Sequence, residues 1–159
     1  QRHTPIAINL SLDFIQNSAN IQWLYSLLKK ENLQHPLYFE LSNSVIMNNI
    51  EASINFSKML NGIGHFFGID RFTLNDKGLD YLQELAPDYI KIDQAYLHGL
   101  IANEDNAPNN ALQNIIKTLN IKLISTPVES NDTKEWLIQE QYYLMQGNLI
   151  SETELIKRF

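Results

Sequence analysis

Asn9, Glu40, Asp70, Lys91 and Gln146 each stand at or near the C-terminal end of a strand-like run. In parallel α/β folds those ends converge on one side of the sheet, and ligands bind there. Asn, Glu and Asp supply the hard oxygen donors that Mg²⁺ or Mn²⁺ takes. A lysine beside them adds a mobile cation. A single polar residue at a strand end is more often the cap of the next helix than a ligand. Five in successive units, mixing oxygen donors with a lysine, are harder to attribute to capping. Arg71 cuts across that chemistry, because it places a guanidinium immediately after Asp70.

The elements that must position these residues alternate along the chain. Strands are expected at Pro5 to Leu10, Leu37 to Leu41, His65 to Ile69, Tyr89 to Ile92, Ile121 to Ser125 and Tyr142 to Met145. Helical spacing of apolar residues predicts helices at Ser18 to Lys30, Val45 to Leu60, Gly78 to Leu85, Asn110 to Leu119 and Thr133 to Glu140. Ile21, Leu24, Tyr25, Leu27 and Leu28 form the apolar face of the first helix, and Gly62 and Gly64 close the second. Strands alternating with helices imply a parallel sheet with right-handed crossovers. Two architectures fit, an open doubly wound sheet or part of an α/β barrel. A complete barrel takes about 250 residues, and this chain has 159. Pattern alone therefore favours the open sheet.

Composition narrows the function classes. A 44% hydrophobic fraction with 10% aromatics describes a globular domain able to bury a core. A net charge of −6 argues against direct nucleic-acid binding, which needs basic clusters. With no cysteine there is neither a disulfide framework nor a thiolate metal site. No apolar run reaches membrane-spanning length. Gly62-Ile-Gly64 follows a helix rather than a strand, so it reads as a turn and not a dinucleotide loop. His65 and His98 lack partners at metal-ligand spacing and read as packing or surface residues. Trp23 and Trp136 fall on helices at core-like spacing.

Gly68-Ile-Asp70-Arg71-Phe72, followed at fixed distance by Asp88-Tyr-Ile-Lys91-Ile-Asp93, resembles two central motifs of the EAL domain, the cyclic-di-GMP phosphodiesterase barrel. The family's versions read Asp-Asp-Phe-Gly and Asp-Tyr-Leu-Lys-Ile-Asp. The ungapped core runs over twenty-four positions from Asp70 to Asp93 and keeps Phe72, Leu79, Tyr81 and Leu82. Looser matches extend the resemblance from Ala7 to Ser151. They are Ala7-Ile-Asn9-Leu-Ser11, Phe39-Glu40-Leu-Ser-Asn43-Ser44, Leu123 to Ser130, and Gln146-Gly147. The resemblance implies a TIM-like (β/α) barrel of which this chain covers about the last six strand–helix units. The Glu-Ala-Leu strand and its substrate arginine would then lie upstream of Gln1.

By that resemblance Asn9, Glu40 and Asp70 match metal ligands. Lys91 matches the lysine near the attacking water, and Gln146 matches the family's glutamine. Glu129 matches a supporting Glu, and Asp93 closes the second motif. In active members two metal ions polarise a water and the scissile phosphate. Here Arg71 replaces one metal-binding Asp and Thr126 replaces another acidic site residue. Asn43 replaces the Glu that steadies the neighbouring loop, whose sequence is itself altered at Thr73, Leu74 and Asn75. Two carboxylates are lost and a fixed cation is gained, a change of three charges against a metal pair. At an effective dielectric near 20, one like-charge contact at ~4 Å costs about 4 kcal/mol. Arg71 is expected either to pair with Glu40 or Asp70 in place of a metal, or to point outward on a rim. Lys91 is expected to pair with Asp70.

The resemblance therefore implies a degenerate EAL domain in bacterial cyclic-di-GMP signalling, a system tied to biofilm control. The expected role is a catalytically inactive receptor for cyclic-di-GMP, with Asn9, Glu40, Asp70, Arg71, Lys91, Asp93, Glu129 and Gln146 around the ligand. No cofactor is expected, and Mg²⁺ or Mn²⁺ would bind only if the site were active. The alternatives are an interaction scaffold of the regulatory-RNA turnover type and an active phosphodiesterase. Expected partners are an upstream GGDEF or sensor domain and a second copy of the chain. The expected location is the cytoplasm, including the cytoplasmic part of an inner-membrane protein.

Overall fold

A computed structural model describes residues 6–31, 33, 35–74, 79–103 and 107–151. Pro5 of the first expected strand, Gly78 of the expected third helix and Asn75 to Lys77 of the altered loop lie outside the described residues. Five parallel strands form one sheet in sequential order: β1 (Ala7–Asn9), β2 (Tyr38–Ser42), β3 (Phe66–Phe72), β4 (Tyr89–Asp93) and β5 (Lys122–Thr126). Sequential order without a reversal is the winding of a barrel. It corrects the doubly wound order that pattern alone favours, because period and length carry no information about which strands are neighbours.

The helices are α1 (Leu12–Gln16), α2 (Ser18–Lys30), α3 (Asn43–Asn48), α4 (Ile50–Gly62), α5 (Tyr81–Leu85), α6 (Gln94–Ala102), α7 (Ala107–Leu119) and α8 (Asn131–Gln139). They cover the sheet face that carries Phe39, Leu41, Phe67, Ile69, Ile90 and Ile92, all fully buried. Phe56 of α4 meets Phe39 and Phe67 edge-on, with centroids 6.2 Å apart in each case, a favoured aromatic geometry. Because side chains alternate along a strand, the opposite face receives Tyr38, Glu40 and Ser42, then Phe66, Gly68 and Asp70, then Tyr89, Lys91 and Asp93. The helix-covered face is the core, and the other face holds the polar groups. At the far end of the sheet from the polar rim, Asp88 Oδ2 accepts from the Phe67 N–H at 2.8 Å, which helps fix the β3–β4 register.

Four expectations need correction. The helix predicted from Val45 to Leu60 is two helices, because Asn49 leaves helical geometry at φ −153°, ψ 78°. Its side-chain oxygen accepts from the Ala52 N–H and caps α4; amide side chains compete with the helical ladder in this way. Helices α1 and α6 were not expected, since each is short and capped by a residue read as strand end or ligand: Ser11 for α1 and Asp93 for α6. The apolar face of α2 is narrower than spacing suggests. Leu24 and Leu28 are buried, but Trp23 is 59% exposed and Tyr25 and Leu27 are also exposed, so Trp23 is not a core residue. Finally, the expected strand at Tyr142 to Met145 contributes a single parallel bridge, Met145 to Ser125. The chain then turns at Gly147, whose absent Cβ would lie 2.2 Å from the Val128 carbonyl oxygen.

Trp136 does pack on the core and meets His98 in a tilted ring contact, with centroids 4.9 Å apart. His65 is buried, and its Nδ1 accepts from the Leu37 N–H at 3.1 Å. Among the described residues no helix is long and apolar enough to cross a membrane.

Candidate functional site

The centre of the site is Glu40, a carboxylate on β2 that is 1% exposed. The register runs Asn9, Glu40, Gly68 and Tyr89 in one row across β1 to β4. Strands lie 4.7–4.9 Å apart, so a group on β4 must cross roughly 9.5 Å to reach β2. Gly68 leaves that path open, because it puts no side chain over β3. Two donors reach Glu40 from β4. Lys91 Nζ lies 2.6 Å from Glu40 Oε1, and the Tyr89 hydroxyl donates to the same oxygen at 2.7 Å. Burial pushes the Tyr89 pKa well above the ordinary range, and the hydrogen bond to Glu40 pushes it the same way. Tyr89 therefore stays a donor.

Lys91 was expected on Asp70 and is found on Glu40. The reason is a β-bulge. Ile69 pairs with Ile90 and Phe72 with Ile92, so Asp70 and Arg71 together oppose Lys91. The extra residue re-aims the side chains around it. Arg71 takes a left-handed conformation at φ 51°, which brings two sequence neighbours to the same side. Arg71 Nε lies 3.4 Å from Asp70 Oδ2, and its side chain is 80% exposed. Of the expected arrangements, Arg71 combines two: it stands on the rim, and it pairs with Asp70 rather than with Glu40.

The remaining expected residues surround this cluster without joining it. Asn9 neighbours Glu40 by register and is exposed at β1. Asp93 Oδ1 accepts from the Ala95 and Tyr96 N–H groups at 2.8 and 3.1 Å and so caps α6. It pairs in register with Thr126 on β5. Glu129 is exposed between β5 and α8, and Gln146 is exposed with its backbone pinned between Ser125 and Val128 at 2.9 Å on each side. Both lie on the β5 side of the sheet. The structure thus brings Glu40, Lys91, Asp70 and Arg71 together, with Asn9 adjacent.

Two features were missed in the sequence. One is the Gly68–Tyr89 pair; an isolated glycine inside a strand is the signal that could have found it. The other is the contact network of Asn43, which holds the start of the loop after β3. Asn43 Nδ2 donates to the carbonyl and hydroxyl oxygens of Thr73, each at 3.2 Å, and its Oδ1 accepts from Tyr81 at 3.2 Å. Leu74 N–H donates to the Tyr96 hydroxyl at 3.0 Å.

The charges of the central cluster cancel: Glu40 and Asp70 are opposed by Lys91 and Arg71. Among the described residues no group of three or more His, Asp or Glu side chains is placed to hold a metal ion.

A sequentially wound parallel sheet, with paired charges at the C-terminal ends of its strands, defines a domain of the α/β-barrel class. The EAL-domain family model matches residues 1–153, and the chain belongs to that family. It is 27% identical over 147 residues to the bifunctional diguanylate cyclase/cyclic di-GMP phosphodiesterase MucR of Pseudomonas aeruginosa, covering 91% of this chain and 22% of MucR. It is 27% identical over 148 residues to the probable cyclic di-GMP phosphodiesterase PdeN of Escherichia coli, covering 91% of this chain and 28% of PdeN. The S helix-GGDEF-EAL structure of Vibrio cholerae LapD, bound to c-di-GMP, matches with TM-score 0.75 and 26% identity over 95% of this chain and 38% of that one. The chain thus spans under a third of the length of these two curated relatives.

Proposed function

We propose that this EAL domain is a catalytically inactive module of cyclic-di-GMP signalling that binds the dinucleotide without metal. The observation that carries this reading is the pairing of both central carboxylates with fixed cations. Glu40 is held by Lys91 and Tyr89, and Asp70 by Arg71. The residues present do not fit a metal pair. Four added positive charges would meet a cluster already neutral, with an ammonium 2.6 Å from one donor oxygen and a guanidinium on the other. Ligand binding survives such a change, because phosphate recognition uses the same cations that oppose metals. Arg71, exposed on the rim, is the group best placed to meet a phosphate. The LapD structure bound to c-di-GMP supports the ligand class. In this reading the domain works on the cytoplasmic side, coupled to a GGDEF or sensor domain, and binding shifts a conformational equilibrium that the partner reads.

The exposed Trp23, Tyr25 and Leu27 on α2 favour a second reading, an interaction scaffold that binds protein and not nucleotide. Calorimetric titration of cyclic-di-GMP with and without Mg²⁺ separates the readings. Micromolar binding indifferent to Mg²⁺ and weakened by Arg71→Ala supports the receptor. No heat and no thermal shift at saturating nucleotide selects the scaffold. Mg²⁺-dependent binding with linear dinucleotide as product refutes both.

A further inference from the structure

We propose that Tyr96 is a positioning residue for Arg71: its hydroxyl fixes the chain that leaves β3, and so holds the guanidinium where a ligand phosphate meets it. This deepens the receptor reading above and rests on it. The Arg71 side chain does little to place itself. It is 80% exposed and meets Asp70 through Nε at 3.4 Å, so its position follows from its backbone. That backbone is left-handed at φ 51°, a conformation that persists in a residue with a Cβ only where the surroundings enforce it. Up to Phe72 the surroundings are the sheet, since the β2–β3 ladder runs to Ser42–Asp70 and the β3–β4 ladder to Phe72–Ile92. Thr73 and Leu74 lie beyond both. There two side chains take over from the ladders, one from each flank. From the β2 side, Asn43 Nδ2 donates to the Thr73 carbonyl at 3.2 Å. From the β4 side, the Tyr96 hydroxyl accepts from the Leu74 N–H at 3.0 Å. Tyr96 is itself anchored: Asp93 Oδ1 accepts from its N–H at 3.1 Å in the first turn of α6, and its ring packs against the core. Without the hydroxyl, the N–H of the half-buried Leu74 loses its acceptor, and the segment after Phe72 is released on the β4 side. A cation on a preorganised backbone binds more tightly than one that must be ordered on binding, since less freedom is lost on association.

The test compares Tyr96→Phe, Arg71→Ala and the double variant in the protein that carries this chain. Tyr96→Phe removes one oxygen and keeps the packed ring, so it preserves the fold. Cyclic-di-GMP is titrated calorimetrically without Mg²⁺. The Arg71 Cα and Cβ chemical shifts, which report its left-handed backbone, are measured without ligand. Binding should be about fivefold weaker in Tyr96→Phe, the size of one hydrogen bond's net contribution. The same change added to Arg71→Ala should weaken binding no further, and the Arg71 shifts should move away from left-handed values. An unchanged affinity would overturn the proposal. So would an equal loss with and without Arg71, which marks a merely structural role. Where Arg71→Ala binds too weakly to measure, the shifts decide, and Arg71 shifts unmoved by Tyr96→Phe overturn it. No binding by the unaltered protein is a different failure, that of the receptor reading itself, and the shifts then still decide whether Tyr96 holds Arg71.

Discussion

Gly68→Ala tests the geometry of the site without touching a charge. The new Cβ would fall 2.3 Å from Tyr89 Cζ and 2.4 Å from Cε2. Carbon atoms settle at 3.5–4.0 Å, so the ring must move by more than about 1 Å. Tyr89 is buried and flanked by Tyr38, so the shift strains its surroundings, at about 1–3 kcal/mol for overpacking. The shift also breaks the hydroxyl's hydrogen bond to Glu40, worth about 1.5–3 kcal/mol to a charged partner. Against this, alanine in a strand gains about 0.5–1 kcal/mol over glycine. The net loss is roughly 3 kcal/mol, or about 6–12 °C in Tm for a domain of this size. Urea unfolding of the single variant and of the cycle with Tyr89→Ala measures it. In the Tyr89→Ala background the same Gly68→Ala change should be neutral or stabilising, because the clash is with that ring. A neutral Gly68→Ala in the native background would refute the placement of Tyr89. So would an equal penalty with and without the ring.

Lys91→Met leaves the buried Glu40 carboxylate without its cation and should cost about 3–5 kcal/mol, measured by urea unfolding; the double variant Glu40→Gln/Lys91→Met should recover most of the loss. Asn43→Ala removes the contacts to Thr73 and Tyr81 and should cost about 2–3 kcal/mol. Amide exchange at Thr73 and Leu74 should accelerate with it. His65 carries a pKa held below 6.5 by burial, and its Nδ1 must be unprotonated to accept from Leu37. Below pH 6.5 the unfolded chain takes up the proton more readily, so the stability this residue contributes is present above that pH and declines as pH falls through it. Unfolding measured between pH 7 and 5 should show a shallower decline in His65→Gln.

The carriers of the site were legible because apolar runs that end in polar residues mark strand ends, and Glu40, Asp70 and Lys91 stand at such ends. Their pairing was not. Lys91 reaches Glu40 instead of Asp70 because the β3–β4 register slips at Asp70–Arg71, and Tyr89 reaches it because Gly68 clears the intervening strand. A bulge is a relation between two strands, and no single-strand pattern encodes it. The same limit explains Trp23. Helical spacing places it near the apolar stripe, yet α2 turns only Leu24 and Leu28 fully inward, and how far a helix rolls depends on what it packs against. Asn49 shows the opposite case: its amide breaks a helix that the apolar spacing runs straight through.

In the sequence Arg71 looks decisive, since a cation stands where the family has an acid. In the structure it is the weaker half of the arrangement. An exposed pair at 3.4 Å contributes about 0.2–1 kcal/mol, less than the roughly 1–2 kcal/mol that a left-handed conformation costs a residue with a Cβ. That conformation is held by its neighbours, because Ile69 and Phe72 on either side of the bulge are fully buried. The inner group is different. Glu40, Lys91 and Tyr89 are all largely buried, and removing one partner of such a set costs several kcal/mol. Residues that look ordinary in the motif, and that match the family's own, therefore hold together more firmly than the substitution that draws the eye. Restoring an acid at position 71 changes the rim, whereas Glu40 stays held by Lys91 and Tyr89.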